Sequence, residues 1–388
     1  MFTKILLFDV DGVLIHPRGY KVALRATINH FAELMGQDPV NVSDNEIAHF
    51  EACGLTNEWD SAAFSVGALL VDALNQQPDL RQGTFSNTLL TIRQRNLTIP
   101  RPDFSSLASQ VAARNPDHGH VTPLCYELLA EKSSPDIHGL LFTLFEDIYS
   151  IDTPTTRIQQ AHTLGSHNFA QTYGQPAPLA IEESYLKTHD VPLLSAESRD
   201  NLLDWGKKPD NYFSIFTARP ALPPPGSAAN PLGYAPEADL ALELLELRDQ
   251  APLIAAGRMV WLASQNGRQP ADYIKPSPVQ ALAAIGAALA NDEMTGLDAA
   301  ATFYEHQTLN GPFEQMKNEE LHVVVFEDST GGIRATQHAV KLLQDAGFNI
   351  QMQGVGVAPE EPKRQALARL TDILVEDVNK GLRWILNS

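Results

Sequence analysis

Two carboxylates stand two positions apart where an apolar run stops, in Lys4-Ile-Leu-Leu-Phe-Asp9-Val-Asp11-Gly12. The run has the length of one strand buried on both faces. In a strand, residues i and i+2 point the same way, so Asp9 and Asp11 can share the mouth of a sheet. Open α/β sheets bind ligands outside the carboxyl ends of their strands, and this pair occupies such an end. Taken alone, an acidic turn after a strand explains it equally well. Further strand-like runs supply different groups. Tyr212-Phe-Ser-Ile-Phe216 leads into Thr217-Ala218-Arg219-Pro220, Lys275-Pro276 closes a later loop, and His322-Val-Val-Val-Phe326 ends in Glu327-Asp328-Ser329.

Two Asp, one Thr, one Lys and a Glu-Asp pair suit phosphoryl transfer. Asp9 can attack phosphorus and form an acyl-phosphate, splitting hydrolysis into two easier steps. A carboxylate approaching a phosphate dianion is repelled, so a cation must sit between them. Glu327 and Asp328, with Asp9 and a backbone carbonyl near Asp11, offer the all-oxygen shell that Mg²⁺ prefers. Thr217 can donate its hydroxyl to a phosphoryl oxygen, beside the backbone N–H of Ala218. Lys275 adds fixed positive charge for the equatorial oxygens, and Asp11 would protonate the leaving oxygen. Singly, each has a plainer reading: a strand-end hydroxyl, a solvated loop lysine, an acidic turn capping a helix. Their joint occurrence favours the catalytic one.

Asp9-Val-Asp11-Gly-Val, the strand-ending Thr217, Lys275-Pro-Ser-Pro and Phe326-Glu-Asp-Ser-Thr-Gly-Gly-Ile resemble, in order, the four motifs of the haloacid dehalogenase (HAD) superfamily. The resemblance is to its phosphatase and β-phosphoglucomutase-like branch, whose helical cap follows the first motif. It covers the core from both ends, including Gly354 to Leu386, and the cap only loosely. It implies a Mg²⁺-dependent aspartyl-phosphate mechanism with the roles just given, and Asp11 argues against dehalogenation. It further implies that a cap loop selects the substrate, which points to Thr56, Asn57 and Trp59 in Cys53-Gly-Leu-Thr-Asn-Glu-Trp-Asp-Ser61. The plainer reading of that loop is an N-cap at Asn57 with Trp59 buried. The expected function is phosphomonoester hydrolysis of a small phosphorylated metabolite. Alternatives are a phosphomutase, or a catalytically silent phosphate-binding platform; the substrate and the oligomeric state are not legible.

The elements that must position these residues follow an α/β rhythm interrupted once. From about Tyr20 to Pro192 the apolar spacing is helical: Tyr20–Met35, a capping box at Ser43-Asp-Asn-Glu46, a helix capped by Asn57, then Ser86–Arg95, Phe104–Arg114, Pro123–Glu131, Ile137–Tyr149 and Thr155–Tyr173. Strands are expected at Tyr212–Phe216, Met259–Ala263, His322–Phe326, Gln353–Val357 and Asp372–Val375. The stretch Asp292 to Glu320 resists organisation. The expected architecture is a doubly wound parallel Rossmann-like core, residues 1–16 and 192–388, with an inserted all-α cap at 17–191. A Pro-rich insertion at about 221–236 delays the helix after Thr217, and 292–320 forms a second insertion.

The chain has 388 residues, room for more than one core, with 44% hydrophobic and 19% charged residues, as in a globular protein. A net charge of −19 argues against nucleic acid and anionic membranes as partners. No signal peptide or membrane span is recognisable, and Cys53 and Cys125 show neither metal nor disulfide spacing; a reducing cytoplasm is therefore expected. His118-Gly-His120 reads as a polar loop rather than a metal site, for want of Cys or carboxylate partners. Gly354-Val-Gly-Val lacks the third glycine of a dinucleotide fingerprint.

Overall fold

The computed structural model describes residues 2–115 and 119–387. Its contacts divide the chain into two units, 1–17 with 190–388, and 18–189. The first unit is an α/β fold built on a six-stranded parallel sheet. The strands in chain order are β1 (Thr3–Phe8), β2 (Ile15–His16), β3 (Val191–Pro192), β4 (Asn211–Thr217), β5 (Leu253–Ala255), β6 (Glu320–Glu327), β7 (Asn349–Val357) and β8 (Ile373–Val375). The sheet order is β5-β4-β1-β6-β7-β8, while β2 and β3 form a separate antiparallel pair.

β1 explains why its sequence is apolar without alternation. Ile5 and Leu7 enter one core layer; Leu6 and Phe8 enter the layer on the other face. A strand covered on both sides has no polar face to keep. One layer contains the Ala-rich helix Pro278–Ala290 and the helices Glu293–His306 and Thr330–Asp345. The other contains Ala196–Gly206, Glu237–Leu244 and Val378–Leu386. The register aligns the carboxyl ends: Phe8 pairs with both Ile215 and Phe326, and Glu327 with Gly356. Asp9, Thr217 and Glu327 therefore leave the sheet at one edge.

Two sequence expectations for this unit change. Met259–Ala263 is not a strand; it lies within the helix Ala256–Gln265, preceded by the short strand β5. Met259, Leu262 and Ala263 are buried while Val260 and Trp261 are partly exposed, a helical spacing that a five-residue apolar run does not reveal. Asp292 to Glu320 is organised after all, as the helices Glu293–His306 and Gly311–Gln315. Glu293–His306 runs against the Ala-rich helix where Gly296 lies: a Cβ there would stand 2.3 Å from the Ala287 nitrogen. The Pro-rich loop does delay the next helix, which begins at Glu237.

Among the described residues, the regular elements of the second unit are all helices. Its core is strung along Glu58–Gln76, whose buried residues run from Asp60 to Leu74. Ser43 and Glu46 form the expected capping box, and Asn57 caps Glu58–Gln76 by accepting from the Asp60 amide at 2.8 Å. The expected helix Thr155–Tyr173 is broken at Gly165, whose φ of 74° and ψ of 163° are not helical. A Cβ at Gly165 would meet the Ser184 backbone nitrogen at 2.9 Å, so the chain is crowded there. Both cysteines are free and buried. Of the polar stretch His118-Gly-His120, His118 lies outside the described residues. No helix among them is long and apolar enough to cross a membrane.

Candidate active site

At the shared edge, the Lys275 ammonium donates to Asp9 Oδ1 at 2.9 Å and to Glu327 Oε1 at 2.6 Å. It also stands 4.4 Å from the centre of the Phe216 ring. Asp9 is 6% exposed and Glu327 fully buried. Both positions are set by the sheet: the Asp9 amide donates to the Phe326 carbonyl, which places the first residue after β1 beside the last residues of β6. Glu327 Oε2 accepts from the Ser329 amide and hydroxyl, and Ser329 caps the helix Thr330–Asp345. The cap is thus the serine, and the two acidic residues before it are left for the site. A Cβ on Gly332 would fall 1.6 Å from Glu327 Oε1, and one on Gly12 would fall 2.1 Å from Asp328 Oδ2. Glycine at both places lets backbone close in on the carboxylates.

The electrostatics are those of too many buried acids. Burial pushes the Glu327 carboxyl up to about 7, Asp9 adding to it and Lys275 opposing. Asp9 is raised for the same first reason, against the pull of Lys275 and with the charges of Asp328 and Asp11 behind it. Asp328 is raised by burial although Lys363 pairs with it. Burial alone would lower Lys275, but the Asp9 and Glu327 charges reverse that and raise it. Ligand oxygens of Asp9, Glu327 and Asp328 lie within 4.8 Å of one another. An all-carboxylate donor set, crowded and short of positive charge, fits a hard divalent cation such as Mg²⁺.

Thr217 is buried at the end of β4, with its hydroxyl accepting from the Arg219 amide at 3.2 Å, while Ala218 is exposed. Asp11 faces Arg219, whose Nε stands 2.9 Å from both of its carboxylate oxygens and whose Nη2 donates to Oδ1 at 2.5 Å. The sheet unit therefore gathers Asp9, Lys275, Glu327 and Asp328 in one cluster, while Asp11 and the Thr217 hydroxyl both meet Arg219 and Ala218 lies exposed between Thr217 and Arg219. Thr56, Asn57 and Trp59 belong to the helical unit. Asn57 has its capping role there, and Trp59 packs on the helical core and edge-on to Tyr149 at 5.5 Å. Thr56 and Asn57 line a cleft of about 420 Å³ with Asp60, His120, Thr122 and Tyr149.

Several site residues were not singled out from the sequence. Gln280 accepts from the Lys275 amide and donates to the Thr217 and Ile254 carbonyls. Its signal was available: it is the only polar side chain in Pro278–Ala290. Arg219 stood in view inside the Thr-Ala-Arg-Pro stretch. Asp190 and Lys363 carried no local signal.

No protein-family model matches this sequence, and no curated protein matches it either. Solved structures do. A crystal structure from the Northeast Structural Genomics Consortium superposes with a TM-score of 0.68 at 16% identity, covering 100% of this chain and 98% of that one. Phosphatase Tt82 from Thermococcus thioreducens matches at 0.45 and 15% identity over 99% of both chains. The putative HAD-hydrolase YfnB from Bacillus subtilis, solved bound to magnesium, matches at 0.34 and 9% identity over 100% of both. At 16% identity, what the first match shows is the fold.

Proposed function

We propose that the chain is a Mg²⁺-dependent phosphomonoester hydrolase of the HAD type, acting on a small phosphorylated metabolite through an aspartyl-phosphate on Asp9. The observation that carries this reading is one lysine shared by Asp9 and Glu327 at adjacent strand ends, with Asp328 beside them. Asp9 attacks phosphorus, the ester P–O bond breaks, and Asp11 gives its proton to the departing oxygen. Water then attacks the phosphorus, Asp11 takes the proton, and Asp9 leaves as a carboxylate with inorganic phosphate. Thr217, the Ala218 amide and Lys275 orient and neutralise the phosphoryl oxygens. Asp9, Glu327 and Asp328, with the Asp11 carbonyl, would hold Mg²⁺, which supplies charge neutralisation between carboxylate and phosphate. In a chain of net charge −19, that local positive charge is what admits an anion. The helical unit is taken as the cap, since the groups above recognise only phosphate and metal.

The test is a panel of sugar phosphates, nucleotides, phosphorylated acids and p-nitrophenyl phosphate, run with wild type and Asp9→Asn in parallel. Mg²⁺-dependent phosphate release by wild type, abolished in a normally folded Asp9→Asn protein, is the expected result. Release that survives Asp9→Asn, or none from wild type on any ester, would overturn the reading.

A further inference from the structure

Arg219 is a buried cation with a carboxylate on either side. Its side chain is 2% exposed, that of Asp190 is 1% exposed, and that of Asp11 is 35% exposed. Nη2 donates to Asp190 Oδ2 at 3.0 Å as well as to Asp11, and Nε serves Asp11 alone among the contacts given above. The backbone beneath is held from both directions: the Arg219 amide donates to the Thr217 hydroxyl, and its carbonyl accepts from the Ala256 amide at 3.0 Å. Asp190 is equally constrained, since the next residues form β3 against β2, and the Leu193 amide donates to the Leu14 carbonyl at 2.8 Å. Asp11 itself follows the end of β1 in a turn with Gly12 at φ 73°. Its backbone bridges to Ile15 outside the six-stranded sheet, and its carboxyl meets the Arg219 guanidinium.

We propose that Arg219, aimed by the buried Asp190, is a positioning residue that sets the direction of the Asp11 carboxyl. This rests on the hydrolase reading above, in which Asp11 serves the leaving oxygen. A planar guanidinium presents its donors in a fixed fork, so a carboxylate docked on the Nε–Nη2 edge is held in orientation as well as place. The open, exposed side of Asp11 is then the side left for a leaving group. Proton transfer demands that alignment, and a small loss of direction costs rate steeply. Asp190 touches no reacting atom in this scheme; it acts through Arg219.

The experiment compares kcat/KM for p-nitrophenyl phosphate, whose leaving group departs without much help, with that for the best alkyl ester of the panel. Asp190→Asn and Arg219→Lys are expected to lose on the order of tenfold on the alkyl ester and little on the aryl ester. Asp11→Asn should show the same signature, and adding Asp190→Asn to it should cost almost nothing more. Equal losses on both esters, or losses that add to those of Asp11→Asn, would show a merely structural ion pair and overturn the assignment. Should Asp190→Asn fail to fold, Arg219→Lys keeps the buried charge and carries the comparison. If wild type hydrolyses no ester, the hydrolase reading falls and the assignment falls with it. Activity in wild type with an unchanged ester ratio in the variants removes only the assignment.

Discussion

Gln280 donates to the Thr217 carbonyl at 2.8 Å from the first turn of the helix that follows the Lys275 loop. The same amide group donates to the Ile254 carbonyl at 3.0 Å, and its oxygen accepts from the Lys275 amide at 2.9 Å. One fully buried side chain thus ties the ends of β4 and β5 to the backbone that carries the shared lysine. Buried backbone groups without partners are costly, which makes this a constraint rather than a decoration.

Replacing Gln280 with Leu keeps the volume and removes all three bonds. Each buried group left unpaired costs about 1–3 kcal/mol. A clear loss of stability in denaturant unfolding is expected, together with a fall in kcat on p-nitrophenyl phosphate. Gln280→Glu keeps the acceptor for the Lys275 amide but sets a buried carboxylate against two carbonyl oxygens, and should lose at least as much as Gln280→Leu. Wild-type stability in Gln280→Leu would show that the loop holds itself.

The buried acids make stability depend on pH in a stated direction. Glu327 ionises near 4.5 when unfolded and at about 7 when folded. The folded state holds the proton more tightly, so stability falls as pH rises through that window and levels off above it. Asp9 is shifted in the same direction. Adding Mg²⁺ should therefore raise the Tm more at about pH 8 than at about pH 5, because the cation stabilises the ionised cluster. Glu327→Gln should flatten the pH dependence relative to wild type. A Mg²⁺ shift of equal size at both pH values would remove the cluster as its site.

How much of this was legible in the sequence depends on where the partners of each residue lie. Asp9, Thr217 and Glu327 could be read because each ends an apolar run, and a parallel sheet brings such ends to one edge. Ser43 and Asn57 could be read because capping is local. Gln280 stands out as the polar residue of its helix, but the two carbonyls it serves lie 63 and 26 positions back. The roles of Arg219 and Asp190 could not be read, since the two are 29 positions apart and Arg219 and Asp11 are 208 apart in the chain. The strand expected at Met259–Ala263 failed for a related reason. Five apolar residues carry no period, and it is packing against the Ala-rich layer that makes them helical.

The second insertion has a nonlocal explanation as well. Arg258, 3% exposed, donates to both oxygens of Asp239, to Glu293 Oε2 and to the Leu222 carbonyl. Asp239 accepts in turn from the Leu222 amide, and Glu293 from the Leu253 amide. The Pro-rich loop, β5 and the helix Glu293–His306 are thereby joined at one guanidinium. Arg258→Met leaves two carboxylates buried without their cation and should cost about 3–5 kcal/mol in equilibrium unfolding. Adding Asp239→Asn and Glu293→Gln should recover much of that loss. If the single variant is as stable as wild type, the cluster is not what fastens the insertions.

Asn57 has to serve one role that is visible and another that is proposed. As the N-cap of Glu58–Gln76 it accepts from the Asp60 amide and donates to Asp60 Oδ2 at 2.7 Å. Loss of such a cap costs about 1 kcal/mol, so Asn57→Ala would confound folding with recognition. Serine caps nearly as well as asparagine but cannot donate an amide proton. Thr56, exposed and lining the same cleft, has no capping role and gives an independent probe. Asn57→Ser and Thr56→Val should keep the wild-type Tm and the rate on p-nitrophenyl phosphate. Each should raise KM several-fold for the best ester of the panel, because a generic aryl phosphate offers little beyond the phosphate for a cap loop to recognise. Unchanged KM in both variants would confine Asn57 to its helix and send the search for specificity elsewhere in the helical unit.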